Sequence, residues 1–300
     1  MHDPDFEKLK TRMLMEEILR LGAEVSRWAG VNTGRLQRTL HLASECYEKG
    51  LISRDHIYAF QELCEIIELY RLWKQRVHGY SGLLQKMRTA LKKGPPIRED
   101  ETKNSSHARN NLFTYYLAGR LLRSGNNVVV IDGCGLPAMN RGVPKDITIL
   151  LDDCYVDIEC KRPSNERTFE RNLWDACGQI SDSSRGNLCI VALDCSPCVP
   201  PIGKEGDEFA KKLSGGDSNE MLGRYLLEKI PRNLSRELPQ NIIGLFIFIR
   251  LASFSAVVMK ESVSGLDRPV AYFTPADRTQ LMVYPNVNAP RVDRFYAVLR

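Results

Sequence analysis

Residues 143–163 read VPKDITILLDDCYVDIECKRP and decide how the rest of the chain is understood. Two β-rich runs, DITILL (146–151) and CYVDIECK (154–161), flank the acidic pair Asp152-Asp153. Period-2 patterning on either side of two turn-formers predicts a β-hairpin, although Asp-Asp is a poorer two-residue turn than Asp-Gly. With the turn at those two residues, Leu151 faces Cys154, Ile149 faces Val156, Ile147 faces Ile158 and Asp146 faces Glu159. Opposed residues share one side of a sheet, with Cβ atoms roughly 5 Å apart. Lys161, two residues past Glu159, falls on that side as well. The register therefore gathers Asp146, Glu159 and Lys161.

Two opposed carboxylates repel and destabilise a strand pair. A hard divalent cation held by oxygen ligands offsets that repulsion. A lysine alongside neutralises charge or holds a water. Lewis acid, activated water and charge clamp are the equipment for metal-assisted hydrolysis of a phosphodiester. The competing interpretation is that alternating charges merely solvate a strand face. Asp146 followed by Glu159-Cys160-Lys161 resembles the D…(D/E)-x-K signature of the PD-(D/E)XK nuclease superfamily, whose members have the restriction-endonuclease-like fold.

The flanking segments follow that family's order. Residues 107–125 (HARNNLFTYYLAGRLLRSG) read as a helix and 127–132 (NVVVID) as a buried strand. A Gly- and Pro-rich loop, GCGLPAMNRGVP, leads into the hairpin. Phe169, Leu173, Cys177 and Ile180 recur at helical spacing, and NLCIVALDC (187–195) is a further strand. The resulting α-β-β-β-α-β order resembles the restriction-endonuclease core over residues 107–195. The expected class is α/β with a mixed sheet behind an all-helical N-terminal region.

The resemblance implies specific roles. Asp146, Glu159 and the backbone carbonyl of Cys160 would bind Mg2+ or Mn2+, and Lys161 would orient the attacking water. The Cys160 side chain would lie in the core on the other sheet face. Many members carry an acid on the first helix; this chain has none between 107 and 125, and Thr114, with Asn110 and Asn111 a turn earlier, stands nearest that position. That leaves a second metal open. Gln179 matches a site glutamine of some branches. Asp157 shares the Glu159 face and is expected to face solvent; Asp132 is a candidate substitute ligand. Arg109, Arg120, Arg141 and Lys145 are the candidate nucleic-acid contacts.

The bulk properties suit a globular chain: 300 residues, a net charge of +5 and 43% hydrophobic residues. Such mild basicity permits an anionic partner without requiring one. No apolar run approaches a membrane span, the start MHDPDFEKLK is unlike a signal peptide, and nine cysteines without such a signal suggest reduced thiols in a cytoplasm. Residues 5–93 read as helices, with Ser53 and His56 at one start but no Glu or Gln to complete a capping box. The stretch KKGPPIREDETKNSS (92–106) marks the expected boundary between a helical accessory or interaction region (1–98) and the nuclease-like domain (99–300). Basic residues outnumber acidic ones from 74 to 131, a candidate phosphate-tracking surface.

Two motifs carry less. Cys195-x-x-Cys198 has zinc or redox spacing but no second ligand pair. Gly133-Cys-Gly135 lacks the helix that a dinucleotide loop requires. Further on, 218–230 read as a helix capped by Ser218, 241–251 as a central strand, and several later short strands as completing the sheet. The sequence thus points to a metal-dependent nuclease acting on nucleic acid, DNA before RNA, with a homodimer or protein partner through the N-terminal helices and no membrane. The alternatives are a non-catalytic nucleic-acid-binding or assembly protein on the same fold, and a protein-interaction scaffold.

Overall fold

The computed structural model describes residues 4–49, 53–96, 107–135, 145–183, 187–198, 237–254, 257–263, 266–272, 275–286, 288–289 and 291–298. The hairpin forms in the expected register. Strands β3 (Ile147–Leu151) and β4 (Cys154–Lys161) pair antiparallel, with Leu151 opposite Cys154, Ile149 opposite Val156 and Ile147 opposite Ile158. Asp152 and Asp153 both take left-handed backbone, with φ of 44° and 61°. Positive φ at both central residues gives the turn whose twist matches the flanking strands, and Asp tolerates it better than most L-residues. Arg294 adds an ion pair to Asp152.

Around the hairpin lies a seven-stranded mixed sheet in the order β2-β1-β3-β4-β5-β6-β9. The outer strands on one side are β1 (Asn127–Ile131) and β2 (Cys134–Gly135); on the other are β5 (Leu188–Asp194), β6 (Ile242–Phe254) and β9 (Pro275–Pro285). β1, β3 and β4 run antiparallel to one another in turn, β5 and β6 continue parallel to β4, and β9 closes antiparallel. β6 therefore holds an interior position, as its unbroken apolar run requires. β7 (Val257–Val263) and β8 (Leu266–Tyr272) do not complete this sheet but pair with each other. The expected helix at 218–230 lies outside the described residues.

Alternation along β4 sends Val156, Ile158 and Cys160 to one face and Asp157, Glu159 and Lys161 to the other. α5 (His107–Arg123) covers the first face, packing Phe113, Tyr116, Leu117 and Leu121 into the same core as Ile158 and Cys160. α6 (Phe169–Ser183) covers the second with Leu173, Ala176, Cys177 and Ile180, which pack on Val191 and Leu193 of β5. The C-terminal helix α7 (Val292–Val298) inserts Phe295 over β6. A Cβ at Gly244 would sit 2.4–2.6 Å from that ring, so the close approach requires glycine.

The N-terminal region is α1 (Pro4–Ala29), α2 (Arg35–Lys49), α3 (Arg54–Trp73) and α4 (Leu83–Lys92). His56 performs the task of the missing Glu: its Nδ1 accepts from the Ser53 N–H at 3.1 Å while its own N–H donates to Ser53 Oγ, completing the capping box. These helices are not a detached unit. Trp73, Tyr80, Leu83 and Met87 share one continuous core with β1, β3 and β4. Trp73 Nε1 donates to the Tyr115 carbonyl at 2.8 Å and the Tyr80 hydroxyl to the Val128 carbonyl at 2.6 Å. The expected boundary near residue 98 divides the chain without dividing its core. Among the described residues no helix is long and apolar enough to cross a membrane.

Candidate active site

Asp146 stands immediately before β3, at the edge of the hairpin ladder. Its Oδ2 accepts the backbone N–H of Cys160 at 2.8 Å. Glu159 and Lys161 project from β4 on the Asp146 side, and Lys161 Nζ donates to Glu159 Oε1 at 2.6 Å. Lys161 also donates to Gln179 Oε1 on α6 at 2.6 Å. Side-chain exposures of 13% for Glu159 and 21% for Lys161 leave the ion pair largely shielded yet reachable from solvent. The structure thus brings together Asp146, Glu159, Lys161 and Gln179 from three elements.

The electrostatics follow from that geometry. Burial pushes the Asp146 carboxyl up from its ordinary 3.8, and the Glu159 carboxylate pushes it further, to about 7. The Cys160 N–H and Lys161 work in the other direction without overcoming them. Near neutral pH this site is therefore short of positive charge. Two carboxylates on adjacent strands, one braced by a backbone N–H and one by a lysine, fit a hard cation taking oxygen ligands. Among the described residues no three His, Cys, Asp or Glu side chains converge on a common point.

Cys160 itself is fully buried on the α5 face, and burial holds its thiol well above the ordinary cysteine range. Thr114 packs against it and is buried as well, so this position of α5 does not face the carboxylates. One reading of a nearby acid needs correction. Asp157 does not face solvent: it is 2% exposed and accepts from Thr148 Oγ1 at 2.7 Å and Asn187 Nδ2 at 3.1 Å. The strand after α6 brings Asn187 over it, which alternation alone could not reveal. Asp132 is already engaged, accepting from the Tyr115 hydroxyl at 2.8 Å and pairing with Lys86 at 3.0 Å.

The expected nucleic-acid contacts are largely redirected. Arg109 is 4% exposed and its Nε pairs with Glu62 at 2.9 Å, while Nη2 donates to the carbonyls of Pro95 and Pro96. An arginine buried in this way is part of the helix packing and is not presented to phosphate. Lys145 is buried too. Arg120 is half-exposed but reaches across to Glu68 of α3 at 3.5 Å and lies over the Tyr116 ring. Arg141 lies outside the described residues.

Several charged groups escaped the sequence reading. Glu62 of α3 sits between Arg35 of α2, at 3.3 Å, and Arg109 of α5. Burial alone would raise its pKa, but the two guanidiniums prevail and hold it at about 2. Arg162, directly after Lys161, turns to the α5 side and pairs with Asp194 at the end of β5. A small cavity lined by Glu62, Arg109, Tyr116, Arg162 and Asp194 lies there, on the sheet face opposite Asp146. Lys86 of α4 reaches Asp132, beside the site. Its signal was the basic excess from residue 74 to 131, of which Lys86 is one member given no role of its own. Cys195 and Cys198 are both buried, at the start and end of a short 3-10 turn (Ser196–Cys198), and form no disulfide. No protein-family model, curated protein or solved structure matches this chain.

Proposed function

We propose that this protein is a metal-dependent nuclease that hydrolyses phosphodiester bonds of nucleic acid, DNA in the first instance, at Asp146, Glu159 and Lys161. The observation that carries this reading is the placement of Lys161. Its ammonium is bracketed by Glu159 and Gln179 on the side to which Asp146 turns, so a cationic donor is fixed beside two carboxylates. The antiparallel β1-β3-β4 meander followed by parallel β5, with α5 and α6 on opposite faces, is consistent with a restriction-endonuclease-like core.

Mg2+ or Mn2+ held by Asp146, Glu159 and the Cys160 carbonyl would supply Lewis acidity and make an attacking water more acidic. The chain's own groups do the rest. The Cys160 N–H fixes one Asp146 oxygen, and the other would meet the cation. Gln179 holds Lys161 in place, and Lys161 orients the water and stabilises negative charge that builds on the phosphoryl oxygens. Water oxygen bonds to phosphorus and gives up one proton to solvent as the P–O bond to the leaving strand breaks, and the leaving oxygen takes up a proton from solvent. Nine free cysteines fit action in a reducing cytoplasm.

The absence of any acid on α5 favours a second reading, a nucleic-acid-binding protein on this fold that does not cleave. One assay separates the two. Labelled DNA and RNA are incubated with Mg2+, Mn2+ or EDTA and wild type, Asp146→Ala or Lys161→Ala, each variant checked for folding. Cleavage that needs the cation and disappears in both variants is expected. Equal cleavage by wild type and variants refutes the site, and binding without cleavage establishes the second reading.

A further inference from the structure

Lys86 belongs to the helical region, yet it ends beside the candidate site. Its Nζ lies 3.0 Å from Asp132 Oδ1 and also donates to the Asp132 carbonyl. Asp132 closes β1 with a left-handed φ of 46°, a conformation that functional loops often hold at a cost. Its N–H donates to the Asp146 carbonyl at 2.7 Å, and its second carboxylate oxygen accepts the Tyr115 hydroxyl at 2.8 Å. Lys86 is therefore one residue removed from Asp146. Its side chain is 43% exposed.

Among the described residues, the other cations near this edge are committed or buried. Lys161 is bracketed by Glu159 and Gln179, Lys145 is buried, and Arg109 is buried on Glu62. We propose that Lys86 is a phosphate contact for a nucleic-acid strand entering the site, resting on Asp132 in the free protein. This inference rests on the nuclease reading given above. A half-exposed Lys–Asp pair contributes little in water, so a phosphodiester competes for the ammonium at small cost. When Lys86 transfers, Tyr115 still satisfies Asp132, and the Asp132 N–H stays on Asp146. The exchange leaves the Asp146 backbone where it was. It also makes the helical region a contributor to substrate binding, in agreement with its continuous core with the sheet.

Fluorescence anisotropy of the full chain with labelled DNA and RNA oligonucleotides in EDTA, repeated across KCl concentrations, tests this. Lys86→Met should bind several-fold more weakly, with the salt slope reduced by about one, and Lys86→Arg should recover binding. Asp132→Asn removes a negative charge facing the strand and frees Lys86, so it should bind more tightly than wild type. Lys49→Met, an exposed lysine on α2 paired with Glu45, should bind as wild type does. Melting temperatures of all variants establish folding. The inference is overturned if Lys86→Met keeps wild-type affinity and slope, or if Lys49→Met loses as much. It is also overturned if Asp132→Asn weakens binding as Lys86→Met does, since the pair would then be only a brace. If wild type binds neither DNA nor RNA, the nuclease reading falls and takes this inference with it.

Discussion

Asp146→Asn should make the metal-free protein more stable while abolishing its activity. The amide oxygen of Asn can still accept the Cys160 N–H, and its NH2 meets Glu159 as a donor where a like charge stood before. Moving the carboxyl from 3.8 to about 7 corresponds to a ceiling of about 4 kcal/mol, at about 1.4 kcal/mol per pH unit. Asp146 keeps some solvent contact, which lowers the expected gain to about 2–3 kcal/mol. The pH window follows from the direction of the shift. The folded chain holds this proton more tightly than the unfolded chain, so wild-type stability falls as pH rises from 3.8 toward about 7. The advantage of Asp146→Asn should be near zero at pH 4 and fully developed at pH 8. Urea unfolding in EDTA at both pH values measures it, and Mg2+ or Mn2+ at pH 8 should stabilise wild type but not the variant. A variant that is less stable at pH 8, or equally affected at both pH values, would refute the electrostatic account of the site.

Two further perturbations test the framework around the site. Glu62→Gln leaves two buried guanidiniums without their carboxylate and should cost roughly 3–5 kcal/mol in chemical denaturation; because the Glu62 pKa is depressed to about 2, its contribution is present above pH about 4.5 and is lost as pH falls toward 2. A loss below about 1 kcal/mol would show that the helices are not held through this network. Asp153→Gly relieves a left-handed residue at φ 61° while sparing the Asp152–Arg294 pair, and should stabilise by roughly 0.5–1 kcal/mol. Destabilisation in the same denaturation assay would exclude the left-handed turn.

What the sequence disclosed, and what it withheld, divides along one physical line. The hairpin was legible because strand period and turn position jointly fix which residues face each other. That local geometry also set Asp146, Glu159 and Lys161 on one side. Gln179 came from the family resemblance alone, and it meets Lys161 once α6 packs on the sheet. The Glu62 network was not legible, because Glu62 and Arg109 lie 47 positions apart and meet only once helices pack. Arg109 therefore read as a surface cation. Asp157 failed for a similar reason: alternation gave its face correctly, but burial depended on Thr148 and Asn187 arriving from neighbouring strands. The segment at 92–106 has a linker's composition, yet Trp73 and Tyr80 anchor the preceding helices directly to α5 and β1.

The treatment of the acids is the strongest argument for where function lies. Glu62, buried among helices, receives two arginines and is held ionised. Asp194 receives Arg162 and the Ser196 hydroxyl. Asp157 receives a hydroxyl and an amide. Each is matched by donors, as a structural carboxylate must be. Asp146 is placed the other way: one backbone N–H holds it, and Glu159 across the hairpin opposes its ionisation. An arginine does follow Lys161 directly, but Arg162 turns away to Asp194. Lys161 answers Glu159 but leaves the Asp146 carboxyl with its pKa raised, and that imbalance is what supports the cation site proposed above.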